Sequence, residues 1–204
     1  VKWLNILALA LTKPFAATKK ICSGFELSGF FAGLLAVVLA GCGSAIGYTL
    51  AYGQLVSFGG LFFKMLSEVL VVFLFFFLLA IMVHAVASVR GKNGFFPALL
   101  TGFLLASLPL FLLLPVSFIT MSIEEFAGFP VLSLFIFVSS LLLIFGFIIL
   151  QVCRVISLVY GLNKTFQGFI LLVVAVFVGI LVEVTALTTV FFTFLSFVLN
   201  IFIM

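Results

Sequence analysis

Few side chains in this sequence can do chemistry, and most of them sit inside or beside long apolar runs. The acids are five Glu (Glu26, Glu68, Glu124, Glu125 and Glu183), there is no Asp, and His84 is the single histidine. Glu183 falls within the last long apolar run. Lys64 and Glu68 stand four apart near the head of the second, on one helical face. A carboxylate or ammonium among apolar residues is costly, so it marks either a proton, cation or headgroup site or a polar contact that fixes helix register. Helix rise places Glu183 in the half of the membrane that also holds Lys64 and Glu68, so an outer-leaflet Glu/Lys cluster is expected. His84, Gln151 and Arg154 group by depth at the opposite end. The structural reading of each set is favoured, since one polar cluster does not make a pathway. Interfacial snorkelling accounts for Arg154 without any function.

Most enzyme chemistries fail on residue count. One His and no Asp exclude a Ser-His-Asp triad, leaving His84 with a Glu as the nearest substitute. There is no HExxH and no GxxxxGK[ST]. Cys22, Cys42 and Cys153 form no CxxC pair, so no metal set can be assembled from neighbours in sequence. The expectation is a non-enzymatic protein with no cofactor and no metal. The net charge of +4 does not make a nucleic-acid surface, because the nine Lys and Arg are scattered at the ends of apolar runs.

The elements that position these residues are membrane spans. The chain has 204 residues, 67% hydrophobic and 7% charged, with a mean hydropathy of +1.60. Soluble domains carry about 25% charged residues, so this surface faces lipid. The apolar runs are too continuous for barrel strands, and a helical span takes about 20 residues. The expected fold is an all-α bundle of five transmembrane helices in one domain, residues 25–204. The spans are expected at about 27–52, 64–88, 97–121, 131–152 and 168–189, with an apolar tail at 190–204. That tail extends the fifth helix, lies in the interface, covers a neighbour, or re-enters the membrane as a short sixth span.

Residues 1–24 read as an interfacial amphipathic segment with Trp3, Leu4, Leu7 and Leu11 on one face. Pro14 starts a new helix or breaks the old one. Ala8-Leu9-Ala10 imitates a signal-peptide cleavage site, but Asn5 interrupts the apolar core and Lys13, Lys19 and Lys20 follow it. The first span is rich in small residues. Gly43 and Gly47 make a GxxxG, and Ala36, Ala40 and Ser44 make a second row. Such rows let helix backbones approach closely, either for packing within the chain or as a seam for a partner membrane protein or a second copy. Pro109 frees the carbonyl of Leu105 and kinks the third span, and Pro115 adds a second weak point.

With the N-terminus in the cytoplasm, five crossings place Lys2, Lys13, Lys19, Lys20, Arg90, Lys92, Arg154 and Lys164 inside. Lys64, Glu124 and Glu125 fall outside with the C-terminus. This is a strong positive-inside bias. Asn163-Lys164-Thr165 matches a glycosylation pattern by chance in that arrangement.

Four stretches resemble the Yip family of five-span membrane proteins. Leu11-Thr12-Lys13-Pro14-Phe15 resembles the Pro-Phe segment before the first span. Gly91-Lys92-Asn93-Gly94-Phe95 resembles the basic Gly-x-x-Phe turn between spans two and three. Gly102 through Leu108-Pro109 resembles the third span, and Leu158-Val159-Tyr160-Gly161-Leu162 the turn before the fifth. The Asp-Leu-Tyr-Gly-Pro motif and the long N-terminal domain of eukaryotic members are missing, so the resemblance is to a prokaryotic type and not to a Rab binder. It implies a five-helix fold and the cytoplasmic (inner) membrane of a bacterium. It also implies an accessory or organising role beside a partner, such as an ABC-type export system, with no catalytic residue to carry over. The competing expectation is a small transporter, channel or lipid-handling protein that uses Lys64, Glu68 and Glu183.

Overall fold

The computed structural model describes residues 2–22, 27–51 and 57–203, with side chains described except at residues 22, 127, 186–187 and 191–203. All regular structure among the described residues is helical. The elements are α1 (Lys2–Thr12), α2 (Pro14–Cys22), α3 (Leu27–Ala51), α4 (Phe58–Val89), α5 (Phe96–Ala106), a 3-10 turn at Leu108–Leu112, α6 (Leu113–Ala127), α7 (Pro130–Val159) and α8 (Thr165–Ile203). Among the described residues, five stretches are long and apolar enough to cross a membrane: α3, α4, Phe96–Phe126, α7 and Thr165–Val190. The chain is therefore an all-α integral membrane protein.

The helix ends follow local chemistry. Ser57 caps α4 by accepting the Gly60 N–H at 3.2 Å. At the other end, the Lys92 N–H reaches the Ala87 carbonyl at 3.0 Å and the Gly91 N–H reaches Ser88 at 2.9 Å. This is a Schellman closure, with Gly91 at φ 70° where a side chain would be strained. The turn after α7 repeats it, with the Leu162 N–H on the Ser157 carbonyl at 2.8 Å and Gly161 at φ 61°. Pro97 and Pro130 open α5 and α7, where their missing N–H has no partner to lose.

The proline-bearing third span bends differently from the simple two-point kink expected. The break is one interval. The Ser107 N–H turns to Leu104 at 3.3 Å and the Leu110 N–H to Ser107 at 2.9 Å, so the chain tightens into 3-10 geometry around Pro109. Pro115 lies in the first turn of α6, where its missing donor costs little, and it makes no second break.

Helix α5 forms the centre. All its side chains from Ala98 to Ala106 are buried, with Leu99, Phe103 and Leu104 fully enclosed. Helix α3 packs along α4, α5, the 3-10 turn and α6. Its small residues make this possible. A Cβ on Gly41 would meet the Val69 backbone at 2.6 Å, one on Gly43 would lie 2.8 Å from Phe111 Cα, and one on Gly47 would lie 2.9 Å from the Leu113 carbonyl. Ala36 and Ala40 are fully buried, and Ser44 is buried with its hydroxyl on the Gly41 carbonyl at 3.0 Å. The expected small-residue row is thus a packing row inside the chain.

Two features depart from expectation. The N-terminal segment is a pair of helices, α1 and α2, joined at Lys13–Pro14. The face of α1 that packs on the bundle carries Trp3, Ile6, Leu7 and Ala10 against Ala32, Ala36, Leu105 and Leu108, while Leu4 and Leu11 are exposed. The protein, rather than the bilayer surface, takes this stripe, so it is rotated from the Trp3-Leu4-Leu7-Leu11 face. Second, α4 begins at Phe58, which places Lys64 and Glu68 two to three turns along the helix rather than at its head. The apolar tail takes one of its expected paths: it continues α8 as helix to Ile203, giving one helix of 39 residues.

Candidate functional site

The polar side chains singled out from sequence lie at several levels along the helices. Lys64 and Glu68 are half-buried on α4, whereas Glu183 is exposed on α8. The two helices pack together, and their register is fixed where a Cβ on Gly179 would come within 2.5 Å of Met82 Sδ. From that contact Glu183 lies about 6 Å further toward the end bearing Glu124 and Glu125, and Glu68 about 21 Å further, at about 1.5 Å per residue. Glu183 is therefore roughly 15 Å from the level of Glu68 by the same rise. Glu183 thus stands apart in level from Glu68, because the Gly179–Met82 contact sets where α8 docks on α4.

The other end, which bears Arg90, Lys92 and Lys164, is more ordered chemically. His84 Nδ1 lies 2.8 Å from the Tyr160 hydroxyl, and the ring of Phe96 meets the imidazole edge-on with centroids 5.4 Å apart. Tyr160 is buried where α7 ends, and Gly94 lets the α4–α5 turn rest on its ring: a Cβ there would lie 2.3 Å from Cε1. Burial pushes the Tyr160 phenol up to about 12. His84 and Tyr160 thus tie α4 to the α7–α8 turn.

The best-formed site lies between the N-terminal helix pair, the 3-10 break and α7. It is a cavity of about 260 Å³ whose walls include Ala10, Leu11, Pro14, Leu108, Phe111 and Phe147. Two polar groups reach it. The Thr18 hydroxyl is 2.9 Å from the Pro14 carbonyl and 3.3 Å from Gln151 Oε1, and both Thr18 and Gln151 are buried. Phe147, Gln151 and Arg154 follow one another at helical spacing along one face of α7. Arg154 continues that stripe past the cavity, its guanidinium carbon 4.4 Å from the centre of the Phe15 ring. Phe15 also meets Phe147, with centroids 6.2 Å apart.

Of the residues singled out from sequence, Gly43, Gly47, Ala36, Ala40 and Ser44 are enclosed by the chain itself. Pro109 lines the cavity and Pro115 does not. Arg154 stands beside the cavity, while His84 belongs to a separate contact. Thr18 and Phe147 carry no weight in the sequence reading, and Phe15 enters it only through the Pro-Phe segment, yet the three build the site. The signal for them is the Phe147-Gln151-Arg154 stripe, which is readable once α7 is known to be helical.

Among the described residues, no three His, Cys, Asp or Glu side chains come together in a group able to hold a metal ion. The arrangement suits binding: an apolar chamber, a neutral hydrogen-bonded pair and a stacked cation. The chain matches no family model, no curated protein and no solved structure.

Proposed function

We propose that this protein is a non-enzymatic organiser or accessory subunit that packs against a partner membrane protein, of the prokaryotic Yip type, with the N-terminus cytoplasmic and the C-terminus outside. The observation that carries the reading is the far half of α8. The helix is 39 residues long, or roughly 58 Å at 1.5 Å per residue, about twice the hydrocarbon thickness of a bilayer. Past Gly179 every described side chain up to Val190 is exposed. The sequence stays apolar beyond that point, with Phe191, Phe192, Phe194, Phe197 and Phe202. A mismatch of that size is relieved by tilt or by association, and a Phe-rich helix end suits association with another membrane helix. The seam on α3 is occupied by the chain itself, so the partner surface is α8 and not Gly43 and Gly47.

Extraction of the whole protein from its native membrane in mild detergent tests this. A stoichiometric membrane partner is expected to co-purify. Phe177→Ala with Leu181→Ala and Val184→Ala, which strips one exposed ridge of α8, is expected to release that partner while leaving the helix bundle folded. A protein that is monomeric by light scattering and gives no crosslink within intact membranes overturns the reading. The competing transport reading, which uses Lys64, Glu68 and Glu183, predicts solute flux in liposomes that Glu183→Gln abolishes.

A further inference from the structure

We infer that the cavity beside Pro109 is a binding site for one anionic phospholipid, with an acyl chain in the chamber and the phosphate at Arg154 and Lys19. Four observations converge on that ligand class. The chamber is lined mostly by apolar side chains, and two of its wall residues, Leu11 and Leu112, are more than half exposed. It therefore opens sideways toward lipid. At about 260 Å³ it falls just below the range of about 300–1,000 Å³ for drug-sized ligands, which suits a single chain rather than a whole amphiphile.

The polar groups are graded along one direction. On α7 the wall passes from Phe147 through Gln151 to Arg154, that is, from apolar to neutral polar to cationic. A phospholipid has the same grading, from chain through ester to phosphate. Gln151 stands at the intermediate level, where ester carbonyls need a donor: the Thr18 hydroxyl reaches its Oε1, which leaves the amide N–H groups as the donors.

The cation is also pre-positioned. Arg154 lies over the Phe15 ring at 4.4 Å. A stacked guanidinium directs its N–H fork along the ring plane, the geometry that matches phosphate. Lys19 is exposed one helical turn beyond Phe15 on α2, so a second positive charge rises from the same face. A zwitterionic headgroup would bring its own cation to this pair and lose much of the attraction.

The single tryptophan supplies the readout. Trp3 packs in the same cluster as Leu105 and Leu108, which line the chamber. The full-length protein is reconstituted in phosphatidylcholine vesicles, and brominated phosphatidylglycerol or brominated phosphatidylcholine is titrated in at equal mole fraction. The brominated anionic lipid is expected to quench Trp3 at lower mole fraction, with a preference of roughly five-fold for each cation engaged. Arg154→Gln combined with Lys19→Gln is expected to remove the preference. Ala10→Phe, which fills the chamber from its rim, is expected to remove the saturable quenching by either lipid while circular dichroism stays helical. Equal quenching by the two lipids in the native sequence overturns the proposal. So does a preference that survives the double substitution, or full displacement by millimolar inorganic phosphate, which would identify a plain anion site. The test does not involve the α8 partner surface, so each reading can fail without the other.

Discussion

Helix α5 and the far half of α8 are both largely apolar and have opposite fates. From Ala98 to Ala106 every side chain of α5 is buried, whereas from Ile180 to Val190 every described side chain of α8 is exposed. Hydrophobicity cannot explain the difference, because lipid tails solvate Leu and Phe as well as a protein core does. Small residues at the contacts can. Around α5 the backbones close through Gly33 on Leu104 and Gly102 on Val155, and beneath it Gly168 of α8 rests on Cys153. On α8 the last such contact is Gly179 against Met82, and packing stops within a turn of it. In this protein the position of glycine, not of leucine, separates inside from outside.

That contrast can be broken experimentally, and the largest effect is expected at a glycine. Gly41→Leu must displace the Val69 backbone, which an added Cβ would meet at 2.6 Å. A loss of about 3 kcal/mol or more is expected, at the upper end of overpacking costs, measured by reversible unfolding in mixed micelles. Little or no loss would mean that α3 and α4 separate freely. Phe103→Ala should rank next. In a membrane the unfolded helix also keeps its Phe in lipid, so the transfer contribution cancels and the void remains. At about 24 cal/mol per Å³, an unfilled volume of about 100 Å³ costs about 2–3 kcal/mol.

Tyr160→Phe tests whether the tight end depends on its hydrogen bond to His84 as well as on shape. A loss of about 1 kcal/mol is expected. The alkaline response sharpens the point. Because burial holds the folded phenol up near 12 against an ordinary 10.0, its stabilising protonation is complete below pH 10 and is lost as pH rises from 10 toward 12. The phenylalanine variant should show a flatter decline over that window, and an identical decline would place the alkaline sensitivity elsewhere. The smallest effect belongs to α8. Phe177→Ala, on an exposed face, should change the stability of the isolated chain by less than about 0.5 kcal/mol. A large change there would show that α8 packs on the chain in a way the exposed face denies. Cysteine placed at position 92 or position 124, probed with an impermeant reagent on sealed vesicles, should label from opposite sides, and same-side labelling would reverse the assignment of the two ends.

Much of the architecture is legible in the residues. Long apolar runs and their Gly and Pro boundaries announce five helices, and the turn at Gly91 reads as a helix end because only glycine closes it without strain. The break at Pro109 is legible as a break but not as a 3-10 turn, since that choice depends on Ser107 and Leu110 finding carbonyls three residues back. The face of α1 is misread by one step because its partner, the Ala32–Ala36 stretch of α3, lies far along the chain. The difference in level between Glu183 and Glu68 is hidden for a related reason: the depth of Glu183 depends on where α8 docks, and a single contact at Gly179 sets that. The cavity escapes sequence reading almost entirely. It exists because a helix pair, a proline turn and one face of α7 converge, and none of the three shows a pocket alone.

The 3-10 interruption also bears on how the protein is made. It divides the third span into α5 and α6, of 11 and 15 residues, each shorter than the roughly 20 residues that a bilayer crossing takes. The hydroxyls of Thr101, Ser107, Ser117 and Thr120, spread along both halves, are all buried. A segment built this way gains little by meeting lipid alone. During synthesis α3 and α4 emerge first, and the glycine groove of α3 is then already on hand to receive Phe111 and Leu113. The order of the chain thus supplies the surface before the helix that needs it, and moving α3 behind α5 by circular permutation would withdraw that surface.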